Sequence, residues 1–106
     1  MNVILPIRTV NPLNERCHWA KRAKRSKSER SMAKLLTPKT ALPCRVILTR
    51  IAPRAMDGDG LQASFKAIRD GVADKLGVLD NDKRVTWQYR QIKGQPKEYA
   101  VHICIL

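Results

Sequence analysis

Residues 57–82 read DGDGLQASFKAIRDGVADKLGVLDND, and this stretch decides the fold. Its large apolar side chains recur at steps of four, three, four and four residues, the spacing of one face of an α-helix. They are Leu61, Phe65, Ile68, Val72 and Leu76. The spacing predicts a helix over residues 61–76 that packs one stripe against a core. Gly77 stands where a C-cap glycine is expected, and residues 80–82 have the composition of a turn.

Strand patterns lie on both sides of this helix. Residues 44–51, CRVILTRI, are β-branched or apolar on both faces, which predicts a central strand. Residues 85–92 alternate with a period of two, residues 94–97 read as a hairpin turn, and residues 99–105 form a second strand pattern. A hairpin of this kind pairs its two strands directly.

The N-terminal part predicts one more strand and one more helix. Residues 2–8 read as a short strand, and Asn14 is placed to cap a helix over residues 15–36 that ends before Pro38. The resulting order is β-α-β-α-β-β. We therefore expect an α+β fold in which residues 1–106 form a single small domain, with a mixed sheet of about four strands and two helices.

The composition points to a polyanionic partner. The chain has 106 residues, with 21 Lys and Arg against 9 Asp and Glu, a formal net charge of +12 and a pI near 10.3. A hydrophobic content of 43% predicts a folded globule rather than a disordered basic tail. No uninterrupted apolar run exceeds four residues, and Pro6 interrupts the run at residues 3–5, so we expect no transmembrane helix and no signal peptide. A cytoplasmic protein is the expectation.

The predicted helix over residues 15–36 is strongly basic, with eight basic side chains against two acidic ones. This density favours contact with nucleic-acid phosphates, the alternative being a solvated surface face. Its apolar stripe is weak, so we expect it to lie on the surface and to be poorly anchored at residues 26–28. Trp19 is either an amphipathic anchor or a base-stacking residue. The candidate DNA-binding residues are Arg16, Trp19, Lys21, Arg22, Lys24, Arg25 and Lys27.

All six aspartates fall within residues 57–82, which carry a net charge of −3, whereas the other 80 residues carry +15. In a nucleic-acid-binding protein such a cluster repels phosphates unless a divalent cation lies between them. Mg²⁺ is typically held by one or two carboxylates together with phosphate oxygens, and it can activate a water molecule there. Asp57 and Asp59 are the candidate pair. Asp80 or Asp82 joins them if the fold brings the two acidic segments together.

These acids also have structural interpretations. Asp59 with Gln62 three residues later fits a capping box, and residues 80–82 are ordinary turn composition. Asp70 and Asp74 lie four residues apart on the solvent side of the helix, which favours surface charges.

Lys66 is the candidate basic residue of the acidic stretch. It follows Asp59 by seven residues, close to two helical turns, and its side chain leans toward the helix N-terminus. There it can stabilise a transition state or a leaving group. An equally good interpretation is a surface lysine paired with Asp70 at i, i+4.

The remaining chemistry-bearing side chains favour structural roles. Trp87 and Tyr89 share one face of a strand and are expected in the core, whereas His102 is expected to face away from it. The cysteines form no C-x-x-C motif, and neither histidine lies at a spacing that would complete a zinc module. We therefore interpret the cysteines as reduced and structural. They are Cys17, Cys44 and Cys104.

The order of these motifs resembles the RusA-type Holliday junction resolvases, especially the phage and prophage branch of that family. The family has a D-x-D-N motif that opens a helix, a glycine after the helix, and an aspartate in a short acidic turn before a strand. Here residues 57–60 resemble the first element, residues 65–78 the helix, and residues 79–82 the acidic turn. Residues 14–19, followed by the basic helix, and residues 85–89 resemble the N-terminal segment and the next strand. The resemblance covers nearly the whole chain.

The resemblance implies a Mg²⁺-dependent endodeoxyribonuclease, with Mn²⁺ as a substitute metal. It implies symmetric paired nicks in four-way DNA junctions that leave ligatable 5′-phosphate ends. Two opposed cuts call for a two-fold homodimer. The expected setting is the cytoplasm of a bacterial host, with a phage or prophage gene, and no membrane partner.

The resemblance also implies roles for individual acids. Asp57 and Asp59 match the paired metal ligands, and Asp82, counted from the glycine without a gap, matches the third acid. Asp80 is the competing choice, because the phage branch tends to carry an aspartate there too.

The chain departs from the family pattern at two positions. Gly60 replaces the asparagine that follows the second aspartate, and Ala63 replaces the expected lysine. The candidate catalytic lysine is therefore Lys66, about one turn further on.

Two other functions fit the size and charge of the chain. One is a non-catalytic nucleic-acid-binding protein whose acidic stretch orders a loop or binds a protein partner. The other is a ribosome-associated RNA-binding module, which leaves the clustering of the six aspartates unexplained.

Overall fold

A mixed four-stranded sheet and three helices are formed in the computed structural model, which describes residues 1–10 and 19–106. In chain order the elements are β1 (Asn2–Leu5), α1 (Trp19–Leu36), β2 (Cys44–Ala52), α2 (Gly58–Ser64), α3 (Lys66–Leu76), β3 (Val85–Lys93) and β4 (Ala100–Ile105). The predicted α+β class is confirmed, with one more helix than expected. The proposed cap Asn14, the basic residue Arg16, Cys17 and the predicted start of the first helix lie outside the described residues.

The strands lie in the order β1-β4-β2-β3. β2 is parallel to β3 and antiparallel to β4, and β1 is antiparallel to β4. The central position predicted for the second strand is thus confirmed. A parallel pair needs a crossover connection, and α2 and α3 supply it between β2 and β3.

The predicted hairpin of the last two strands is wrong. β2 lies between β3 and β4, and the backbone N–H of Gly94 donates to the carbonyl of Ala52 in β2 rather than closing a hairpin. The physical reason lies in burial. Val101, Ile103 and Ile105 of β4 are buried, so this strand belongs inside the sheet, whereas β3 is exposed from Arg90 to its end and suits an edge.

The predicted apolar stripe forms the centre of the core. All five stripe residues are buried, and they pack with alternate residues of the strands. Trp87 and Tyr89 are half-buried against this core, and the ring of Phe65 stacks on that of Tyr89 with centroids 5.9 Å apart. His102 points to the other face of the sheet, as predicted, where its Nε2 lies 3.0 Å from Oδ1 of Asn2.

The single helix predicted over residues 61–76 is two helices, divided at Phe65. The hydroxyl of Ser64 donates to the carbonyl of Leu61 at 2.7 Å. In an uninterrupted helix, the N–H of Phe65 would donate to that same carbonyl. It donates instead to the carbonyl of Gln62 at 3.1 Å, which tightens the turn. Beyond the break, Gly77 ends α3 with φ 72°, as expected for a C-cap glycine.

α1 packs against α3 more closely than its weak apolar stripe predicts. Glu29 and Ala33 are buried, although residues 26–28 are exposed as expected for a poorly anchored turn. The contact depends on Gly71, where an added Cβ would lie 2.3 Å from the carbonyl oxygen of Arg30 and 2.8 Å from Cβ of Ala33. The missing side chain therefore lets the two helix backbones approach each other.

β1 ends at Leu5, three residues earlier than predicted. Pro6 has no N–H to donate, and the N–H of Ile7 bonds back to the carbonyl of Leu5 at 2.8 Å. None of the helices in the described residues is both long and apolar enough to cross a membrane.

Candidate functional site

The first acidic segment follows β2 and opens α2. Asp57 is the N-cap: its Oδ1 accepts a hydrogen bond from the backbone N–H of Gly60 at 2.7 Å. The capping role predicted for Asp59 with Gln62 is therefore wrong, because the helix begins two residues earlier. Asp59 lies in the first turn and is exposed, as is Asp57.

The second acidic segment runs back along α3 and meets Lys66. The Nζ of Lys66 lies 2.9 Å from Oδ1 of Asp70 and 2.9 Å from Oδ2 of Asp80. The predicted Lys66–Asp70 pair is thus confirmed. Hydrogen bonds to Asp80 and Asp70 raise the pKa of Lys66, and the hydrogen bond from Lys66 lowers the pKa of Asp80.

Arg69 fixes the turn that carries Asp80, a role that sequence reasoning missed. Its Nη2 donates to the carbonyl of Asp80 at 2.6 Å, and its Nη1 donates to the hydroxyl of Tyr89 at 2.6 Å. The guanidinium also lies 4.7 Å from the ring centroid of Trp87, whose Nε1 donates to the same Asp80 carbonyl. The missed signal was a lone arginine between the acids, whose aromatic partners come 18 and 20 residues later.

Asp82 is held in a different way from Asp80. Its Oδ2 lies 2.8 Å from Nη2 of Arg84, and its Oδ1 accepts from the backbone N–H of Arg84 at 2.9 Å. Hydrogen bonds from the side chain and the backbone of Arg84 lower the pKa of Asp82 to about 2. Both carboxylate oxygens of Asp82 thus accept hydrogen bonds from Arg84, whereas Asp80 accepts one from Lys66.

A surface groove runs between the helices and β3. It consists of two adjoining cavities of about 490 and 500 Å³ that share Gln62 and Tyr89. Gly58, between the two acids of the first segment, lines the first cavity, and Lys66, Arg69 and Asp80 line the second. The groove therefore begins at Gly58, between Asp57 and Asp59, and reaches Lys66 and Asp80.

The described acids do not form a closed metal site. Within residues 1–10 and 19–106, no three His, Cys, Asp or Glu side chains gather to hold a metal ion. Asp57 keeps a second carboxylate oxygen beside its cap bond, and Asp59 is exposed two residues away. Mg²⁺ is typically held by one or two carboxylates together with substrate phosphate, and these two acids are of that type. Asp82 differs from them because it is bonded to Arg84.

The basic side chains of α1 fall into three groups by their exposure and contacts. Lys21, Lys24 and Lys27 are exposed, whereas Arg22 and Arg25 are half-buried and make further contacts. Arg30 forms a two-pronged ion pair with Asp74, at 2.7 and 2.9 Å. Trp19 is 73% exposed and makes a further contact.

Comparison with known proteins gives a relation in sequence. No family model matches the chain. An uncharacterized protein of Xylella fastidiosa is 34% identical over 89 residues, an alignment that covers 71% of this chain and 56% of the relative. The chain thus spans just over half the length of that relative.

Proposed function

We propose that this chain is a Mg²⁺-dependent, structure-selective DNA endonuclease that nicks four-way junctions. The observation that carries the proposal is the groove between α2, α3 and β3, which begins at Gly58, between two exposed acids, and reaches the Lys66–Asp80 pair. A phosphodiester strand lying in this groove meets carboxylates and cations in succession. Phosphoryl transfer uses that combination, because it relies on positioning and charge stabilisation.

Each end of the groove has its own task in this proposal. Asp57 and Asp59 would hold Mg²⁺, which would supply an activated water and Lewis-acid stabilisation. Lys66 supplies positive charge where negative charge grows on the phosphate. Arg69 positions the turn at Asp80 through its contacts to Tyr89 and to the backbone.

In this proposal the basic helix α1 binds the DNA backbone. The exposed lysines of α1 contact backbone phosphates, and Trp19 offers a ring for stacking on an unpaired base. Selectivity then comes from the shape of a junction rather than from base sequence. Symmetric cuts in two opposed strands require two copies of the groove, so the proposed active form is a homodimer.

Cleavage of a labelled mobile four-way junction, beside a matched linear duplex, tests this function. The wild type should make paired nicks in the junction with Mg²⁺ and none with EDTA. Asp57→Asn should lower the cleavage rate by about 100-fold or more while binding persists, because asparagine caps a helix as well as aspartate does. The variant thus removes the charge and keeps the cap.

Asp74→Asn is the matched control, since Asp74 lies on α3 in a pair with Arg30 and outside the groove. It should cleave within about twofold of the wild type when both are folded by circular dichroism. Equal losses in Asp57→Asn and Asp74→Asn would contradict the site, because a general loss of carboxylate charge would then explain both.

A non-catalytic nucleic-acid-binding protein is the second candidate. It is favoured by the ion pairs that occupy Asp80 and Asp82 and by the separation of the acids in the described part of the chain. It predicts tight junction binding, unchanged by EDTA, with no nicks in Mg²⁺ or Mn²⁺. The same cleavage assay distinguishes the two functions.

A further inference from the structure

A separate cavity, away from the groove, is lined by three arginines. It has a volume of about 270 Å³ and lies between the segment after β1, the end of β2 and the start of β4. Arg8, Arg50 and Arg54 line it together with Thr9 and Tyr99. Among the residues that the structure describes, none of the three guanidinium groups pairs with a carboxylate.

The guanidinium groups of Arg8 and Arg50 are held by contacts that involve no carboxylate. The guanidinium of Arg8 lies 4.3 Å from the ring centroid of Tyr99. Nη1 of Arg50 donates to the backbone carbonyl of Arg54 at 2.6 Å. Burial lowers the pKa of Arg50, an effect that Tyr99 opposes and the positive charge of Arg8 reinforces.

Two buried polar atoms of the same residues have no partner. They are Nε of Arg50 and Oγ1 of Thr9, each shielded from solvent in the described structure. A buried donor without an acceptor is unfavourable, and native structures usually satisfy it. An oxyanion in the cavity would offer several acceptor oxygens to the three guanidinium groups that line it.

We propose that this cavity binds a phosphate group. Its volume is several times the roughly 30 Å³ of one water molecule, so a tetrahedral anion fits. Arginine forks match phosphate geometry, and no described acid opposes the anion. The ligand chemistry has two sources, a backbone phosphate of DNA or a free phosphate.

The position of the cavity favours the DNA backbone as the source. Met56 lines it and immediately precedes Asp57, and it is clamped to β3 by two hydrogen bonds between its backbone and the Gln91 side chain, at 2.9 and 2.7 Å. A strand crossing the acids at residues 57–59 can therefore place another of its phosphates among the arginines. This assignment of the source rests on the proposed function, whereas phosphate binding does not.

The test measures junction affinity against salt concentration in EDTA, where no cleavage occurs. Arg50→Gln should reduce the slope of log K against log salt by about 1, the change expected for one lost phosphate contact. Arg45→Gln is the matched control, because Arg45 lies on the same strand, is exposed and lies outside the cavity. Its slope should equal that of the wild type. Arg8→Gln, an exposed position, repeats the test if Arg50→Gln fails to fold.

A second arm adds inorganic phosphate at millimolar concentrations and measures the melting temperature. A rise in the wild type that is absent in Arg50→Gln, without a change in salt slope, would support the cavity and assign it to a free phosphate. No difference from the wild type in either arm would overturn the proposal. If the wild type fails to cleave the junction in Mg²⁺, the proposed nuclease function is overturned. The salt-slope result, which is measured in EDTA, still stands.

Discussion

At the scale of single residues, cations divide the six aspartates into two groups. Four of them are ion-paired, namely Asp70 and Asp80 with Lys66, Asp74 with Arg30, and Asp82 with Arg84. Asp57 and Asp59 have no cationic partner in the described residues. The negative charge available to a ligand is therefore concentrated at the start of α2. This division gives the most sharply defined predictions for single substitutions.

Replacing Lys66 with methionine should raise the pKa of Asp80 toward its ordinary value, because the hydrogen bond from Lys66 is the largest cause of its lowering. Carboxyl NMR titration measures this change. Under the proposed function, the cleavage rate should also fall by about tenfold or more. Lys75→Met, in the last turn of the same helix, is the control. An unchanged cleavage rate, with the Asp80 shift present, would reduce Lys66 to a clamp on the turn.

Asp82 should make stability depend on acid pH. Its pKa is about 2 in the folded protein, below the ordinary value of 3.8, so the Arg84 pair stabilises the fold above pH 4. That contribution is lost as the pH falls through about 2. Urea midpoints of Asp82→Asn should therefore lie below those of the wild type at pH 6 and approach them near pH 2. A gap that stays constant over this range would contradict the assignment.

At the scale of the elements, the local patterns predict the secondary structure better than the strand pairing. The helical spacing correctly predicts the buried stripe and the glycine cap, because both depend on neighbours within one or two turns. The break at Phe65 escapes the pattern, since the hydroxyl of Ser64 can bond either to solvent or to the Leu61 carbonyl. The pairing of β4 with β2 escapes it too, because alternation identifies the buried face of a strand and not its partner.

The candidate site shows the same limit. Sequence composition identifies the acids and Lys66, and the i, i+4 rule predicts the pair with Asp70. The contacts of Lys66 with Asp80, and of Arg69 with Trp87 and Tyr89, join residues 14 to 20 positions apart. Such contacts depend on the path of the chain after α3, which local spacing does not specify.

The packing of α1 on α3 should fail if Gly71 gains a side chain. Alanine normally stabilises a helix interior relative to glycine by about 1 kcal/mol, yet here its Cβ would meet the Arg30 carbonyl at 2.3 Å. The clash requires the helices to separate, so Gly71→Ala should destabilise the protein by about 1–3 kcal/mol in urea unfolding. Gly58→Ala is the control, since its added Cβ meets nothing within 4 Å. Equal stability of the two variants would contradict the close contact.

At the scale of the whole molecule, the aspartates are concentrated in one segment of a strongly basic protein. The exposed lysines of α1 form a basic face, while residues 57–82 hold all six aspartates and line the groove in part. A polyanion is thus attracted by the net positive charge of the protein and repelled by the aspartates of residues 57–82. In the proposed function a divalent cation lies between the polyanion and these aspartates.

Replacing Lys21, Lys24 and Lys27 together with alanine should weaken junction binding and flatten its salt dependence. The slope of log K against log salt is negative, and each lost phosphate contact lowers its magnitude by about 0.9. Three lost contacts therefore lower the magnitude by roughly 2.7. Fluorescence anisotropy over a series of salt concentrations measures the slope. The comparison variant removes three exposed lysines outside α1, namely Lys39, Lys93 and Lys97. A larger loss of slope in that variant would place the DNA path elsewhere.

The close approach at Gly71 also limits how this sequence can diverge. The atom nearest to an added Cβ is a backbone carbonyl oxygen, which every amino acid at position 30 carries. No substitution at position 30 can remove it, and Ala33 can shrink only to glycine, which weakens α1. A larger residue at position 71 therefore has no compensating partner. Among relatives that keep α1 against α3, glycine at this position should be invariant even where the acids of the groove have changed.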